Sequence, residues 1–151
     1  MIEQQVTMKV TTIQQPFYLK YVASLKKLAK KLSRIKTEKK IQREPDLWYG
    51  LEQANDKPFR WSHPLTKVSV QNVDKVVFVF SDPIGREVTF KTKEVDHTFK
   101  LDPDVEYKVI VSTYDANEVS IRIDPFNPDS DTRSLGAQYY SITSEDTVIL
   151  N

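Results

Sequence analysis

Nine cations crowd one stretch of this chain: Lys26, Lys27, Lys30, Lys31, Arg34, Lys36, Lys39, Lys40 and Arg43. Spaced three and four apart they would repel one another along a helix unless something anionic answers them. Nucleic acid would do so, each phosphate contact releasing counterions and tying affinity to salt. An anionic membrane or an acidic protein surface would serve as well. A second group, Trp48, Tyr49, Phe59 and Trp61, lies near Lys57 and Arg60. Rings beside cations can stack on unpaired bases, and the same rings fill cores and interfaces; packing is the simpler expectation. A third group, Asp124, Asn127, Asp129 and Asp131, offers oxygen atoms to calcium. Counted from Asn127 as the first ligand, the sixth position is Thr132 where a glycine is needed and the twelfth is Gln138 where a glutamate is needed. An ordinary acidic loop is the expected reading.

Catalytic chemistry finds little to stand on. Cysteine is absent, which removes disulfides, thiolate nucleophiles and cysteine–zinc sites. His63 and His97 stand far apart and begin no metal-ligand spacing. Gly50, Gly85 and Gly136 are the only glycines, too few to write a phosphate-cradling loop or a nucleophile elbow. No pair of carboxylates stands out as acid and base. No catalytic residue, cofactor, metal or small-molecule substrate is expected.

What would position the cations is an N-terminal arm, residues 1–43. Val6, Met8 and Val10 alternate with polar residues as in a half-buried strand. Pro16 suits the first turn of a helix, and neither Pro nor Gly interrupts residues 17–43. There Tyr18, Tyr21, Leu25, Leu28, Leu32 and Ile35 fall three and four apart, one apolar stripe on a long basic amphipathic α-helix. That stripe is the expected docking face. It spans under three heptads, too short for a stable isolated coiled coil. Glu44-Pro45 ends the helix, because a residue before proline avoids helical dihedrals. Residues 44–66, with Pro45, Pro58, Pro64 and the four aromatics, read as a connector packed on something.

Beyond residue 66 the period becomes two. Val68 and Val70, Val88 and Phe90, and Val119, Ile121 and Ile123 alternate, whereas Val76–Phe80 is continuously apolar. Asp82-Pro83-Ile84-Gly85, Asp102-Pro103-Asp104 and Asp115-Ala116-Asn117 are turn signals. After a polar stretch, Asp124 to Gln138, two strands are expected at 139–143 and 147–150. Short strands with turns at this spacing predict a β-sandwich or barrel over 67–151.

From Leu101 through Asp-Pro-Asp-Val-Glu to Tyr107, Val109 and Val111, the chain resembles fibronectin type III and immunoglobulin-like modules. The resemblance covers about residues 97–123. It implies an immunoglobulin-like β-sandwich with Tyr107 as the tyrosine whose hydroxyl bonds back to the backbone at a sheet corner. By analogy alone, it implies binding or structural work.

The net charge of +1 conceals a division: residues 1–43 hold 11 Lys/Arg against 2 Glu, a balance of +9, and residues 44–151 balance at −8. Such asymmetry marks different partners for the two parts. The expectation is a mostly β, non-catalytic structural or accessory subunit of a large assembly, such as a virus or phage particle. Its arm would dock on other subunits or on copies of itself. The alternative is a nucleic-acid-binding accessory protein using the lysines. Membrane contact is the least favoured. No run of about eighteen apolar residues predicts a membrane span and no signal segment is visible, so synthesis in the cytoplasm is expected, with the virion as a destination.

Overall fold

A computed structural model describes residues 9–13, 38–54, 56–144 and 149–150. Alternating residues with turn-forming Asp, Asn and Pro between them produce strands throughout: β1 (Lys9–Ile13), β2 (Lys40–Arg43), β3 (Trp48–Ala54), β4 (Lys57–Ser62), β5 (Leu65–Gln71) and β6 (Lys75–Ser81). They continue as β7 (Glu87–Lys91), β8 (Asp96–Lys100), β9 (Tyr107–Ser112), β10 (Glu118–Ile123), β11 (Gln138–Ser144) and β12 (Ile149–Leu150). Tight turns use Asn72, Asp104 and Asp115 in the left-handed region (φ 57, 57 and 59°), which short polar side chains tolerate best after glycine.

Among the described residues the strands form two sheets. The first runs β1-β9-β6-β11-β4-β3, with β12 also on β11; the second runs β2-β5-β10-β7-β8. Four antiparallel pairs are nested: β7 with β8, β6 with β9, β5 with β10, and β4 with β11. The chain from β4 to β11 is thus one long antiparallel ribbon, rolled so that β10 also meets β7 and β11 meets β6. The resulting orders, β4-β11-β6-β9 over β5-β10-β7-β8, are those of a jelly roll.

The expected two-sheet sandwich is present, and so is the tyrosine at its corner. The wiring departs from the immunoglobulin one. There the strand after the corner tyrosine stays in the same sheet, whereas here β9 carries Tyr107 and β10 crosses to the opposite sheet. A corner tyrosine answers to a local need of one turn, so it does not report where the next strand goes.

The core lies between the sheets. Val76, Phe78 and Phe80 of β6 and Val109 and Val111 of β9 meet Val88 and Phe90 of β7 and Val119 and Ile121 of β10. Phe90 lies 5.2 Å from Phe78, and Phe99 of β8 lies 6.2 Å from Tyr107, so β7 faces β6 and β8 faces β9.

Two boundaries shift. The expected helix falls partly on residues 17–37, outside the described residues, but its expected end at 40–43 is strand β2, paired with β5. Burial of Ile41 opposite Val70 outweighs the small helix preference of the flanking lysine and arginine. No α-helix occurs among the described residues; the only helical turn is the 3-10 turn Pro45–Leu47. The expected connector 44–66 is not a connector either, since it carries β3 and β4 of the first sheet. Pro58 is tolerated because β4 pairs with β11 only from Arg60 onward.

Candidate docking surfaces

The two outer faces of the sandwich differ in kind. On β6 the core takes Val76, Phe78 and Phe80, so strand alternation turns Val77 and Val79 outward. Ile110 of β9, paired with Val77, is turned outward in the same way. Val77 is only 7% exposed, and Val79 and Ile110 are half-buried. The outer face of the second sheet instead carries Lys67, Ser69, Thr89, Lys91, Ser120 and Arg122, all exposed or half-buried, together with Leu65, opposite Arg122 and 53% exposed. The second face is mostly polar; the first carries a largely buried apolar stripe near the β1 edge. The continuously apolar run 76–80 was the sequence signal, because such a run marks a strand shielded on both faces.

Beside the stripe lies a polar group that sequence reasoning missed. Lys57 of β4 bonds Glu106 and lies 3.9 Å from the ring centroid of Tyr140, and the Tyr140 hydroxyl lies 2.6 Å from Ser81 Oγ. Tyr140 falls where the β11–β6 register shifts between Tyr139 and Ser141, and no sequence period announces a bulge.

The aromatic group divides. Trp48 belongs to the main core, edge-on to Tyr139 at 5.0 Å, with its Nε1 donating to the Lys67 carbonyl at 3.1 Å. Phe59 and Trp61 turn to the outer side and form a second small core with Leu135, bordered by Tyr49, Phe126 and Tyr140. Trp48, Phe59 and Trp61 are 8, 8 and 7% exposed, so stacking a base on any of them would require unpacking. Tyr49 is stacked on His63 at 4.3 Å, with the Arg133 guanidinium 5.2 Å from its ring and its hydroxyl donating to the Ser134 carbonyl at 2.8 Å. These contacts hold the polar stretch 124–137 against the first sheet.

Arg86 fastens the same stretch from the other end. It pairs with Asp82 at 2.7 Å and donates to the carbonyls of Asp124, Leu135 (3.2 Å) and Gly136 (2.8 Å). Asp82 is fully buried, and it accepts from the backbone N–H of Gly85 (3.0 Å) and Arg86 (2.8 Å). Burial works against its charge, but the Arg86 hydrogen bonds and charge outweigh burial and hold the carboxyl below its usual range. Asp131 accepts from Arg133 at 2.6–3.0 Å through both carboxylate oxygens, so this member of the expected acidic loop has a guanidinium partner. Among the described residues no three His, Asp or Glu gather as a metal site.

Of the nine cations, Lys39, Lys40 and Arg43 lie among the described residues. Lys40 is exposed on β2. Arg43 lies 5.6 Å from the Trp48 ring centroid, and burial, aided by the neighbouring Arg60 charge, pushes its guanidinium down to about 10. Lys26, Lys27, Lys30, Lys31, Arg34 and Lys36, and the stripe Tyr18, Tyr21, Leu25, Leu28, Leu32 and Ile35, lie outside the described residues. Among the described residues no helix is long and apolar enough to cross a membrane.

No protein-family model, curated protein or solved structure matches the chain. The surfaces themselves therefore carry the functional argument. They offer an outer face with a largely buried apolar stripe and a paired edge strand from the N-terminal arm.

Proposed function

We propose that this protein is a non-catalytic structural subunit of a large assembly, docked on neighbouring copies through its N-terminal arm. The supporting observation is the difference between the two outer faces: one mostly polar, the other carrying Val77, Val79 and Ile110. Val77 is 7% exposed and Val79 and Ile110 are half-buried in the single chain, and the subunit reading has a neighbour's arm complete their cover. The charge division, +9 in residues 1–43 against −8 beyond, would steer an arm to another copy's body and fix its register. Jelly rolls are common in viral shells and also in lectins and cupins, so a virus or phage particle is an analogy from fold, not a deduction from the site.

The test is sedimentation of the full chain, with and without nuclease, at low and high salt. Migration in a large nuclease-resistant particle at constant ratio supports the subunit reading. Release by nuclease as a small species would transfer the lysines to nucleic acid and sink it.

A further inference from the structure

β1 differs from every other described strand. It pairs in parallel, Lys9 opposite Tyr107 through Ile13 opposite Val111, and β9 is its sole strand partner. All other described pairs are antiparallel. Without β1, the outer edge of β9 would present a row of unpaired backbone groups, a ready template for another strand.

The positions of β1 and β2 set how far the chain between them must reach. β9 lies over β8, as Phe99 against Tyr107 shows, and the short link from Ser62 to Leu65 places β5 beneath β4. β1 is one strand beyond β9 and β2 is one strand beyond β5, so they occupy opposite edges of different sheets. At about 4.8 Å per strand and 10 Å between sheets, their separation is roughly 25–30 Å. The 26 residues between Ile13 and Lys40 can extend to about 85 Å. That contour length exceeds the span, so the length of the segment allows β1 to reach a neighbour's β9 as well as its own.

We propose that β1 is an exchangeable strand which, in the assembly, adds to the β9 edge of a neighbouring copy. This deepens the subunit reading and rests on it. Own and exchanged pairings make the same ladder, so exchange costs little in contacts. The balance is then set by concentration. The length of the tether sets the effective concentration of a copy's own β9, and subunits packed side by side present their neighbours' edges as well.

The chain contains no cysteine, so disulfide mapping starts from a clean background. Thr12 and Ile110 are direct partners in register, at a spacing that a disulfide spans. Thr12→Cys and Ile110→Cys are made in separate full-length chains, mixed unfolded, refolded, assembled and oxidised. A mixed covalent dimer severalfold more abundant than either single variant's homodimer is the expected result. Val10→Cys with Lys108→Cys, two residues along the same ladder, repeats the test should Ile110→Cys not fold. Mixed dimers no more abundant than homodimers, in chains that still sediment as a large particle, overturn exchange and leave the subunit reading standing. Wild-type chain that sediments only as single molecules overturns the subunit reading, and exchange with it.

Discussion

The Tyr107 hydroxyl accepts a hydrogen bond from the backbone N–H of Asp102, 2.6 Å away, across the turn that carries the chain from β8 to β9. Tyr107 is 2% exposed, so this one bond satisfies a polar group that the core would otherwise strand. Tyr107→Phe keeps the ring and orphans the Asp102 N–H. The expected loss is about 1 kcal/mol, read as a lower urea midpoint with unchanged slope. A variant as stable as wild type would show that water replaces the hydroxyl there.

Asp82 ties stability to pH. Its folded carboxyl titrates below its usual value, so the stabilisation is complete above an unfolded value of about 3.9 and is lost as pH falls through the folded one. Asp82→Asn leaves Arg86 with an unmatched charge and should cost about 3 kcal/mol at pH 7. Below about pH 3.9 the gap between the two proteins should narrow. Urea titrations at both pH values decide it, and a constant gap would mean that the carboxylate is not depressed.

Gly136 marks where the stretch 124–137 closes on β4. A Cβ there would stand 2.1 Å from Ser62 Oγ and 2.6 Å from the His63 carbonyl, and the Gly136 N–H donates to the Ser62 carbonyl at 2.7 Å. Gly136→Ala should cost about 1–3 kcal/mol and expose 124–137 to proteolysis before the rest of the chain unfolds. Equal cleavage rates in wild type and variant would count against that seat.

Truncation separates arm from body at a different residue than sequence suggests. Removing residues 1–37 should leave a folded sandwich that no longer joins a particle. Extending the deletion to residue 43 strips β2 and the buried Ile41, at a further cost of about 2 kcal/mol. Thermal melts of the two truncations test this, and equal midpoints would make β2 dispensable.

Pattern alone foretold most of the strands from 67 onward, because alternation at Val68/Val70, Val88/Phe90 and Val119/Ile121/Ile123 states which side chains leave water, and Asp-Pro and Asp-Ala-Asn state where the chain turns. Tyr107 was legible for the same reason, since its partner lies five residues away. The fates of Lys40–Arg43, Trp48 and Trp61 were not. A lysine-rich segment free of Pro and Gly reads locally as helix, and the pairing of Ile41 with Val70 makes residues 40–43 a strand. Aromatics between prolines carry no period, and only β11 and the stretch 124–137 give them a sheet to join and a cover. The jelly-roll order was likewise out of reach, because periodicity fixes how each strand faces the core while the choice of neighbours depends on contacts far apart in sequence, from Lys57 with Glu106 to Arg86 with Gly136. Local physics chose the strands and the corner; the burial of side chains from distant segments chose which edges meet.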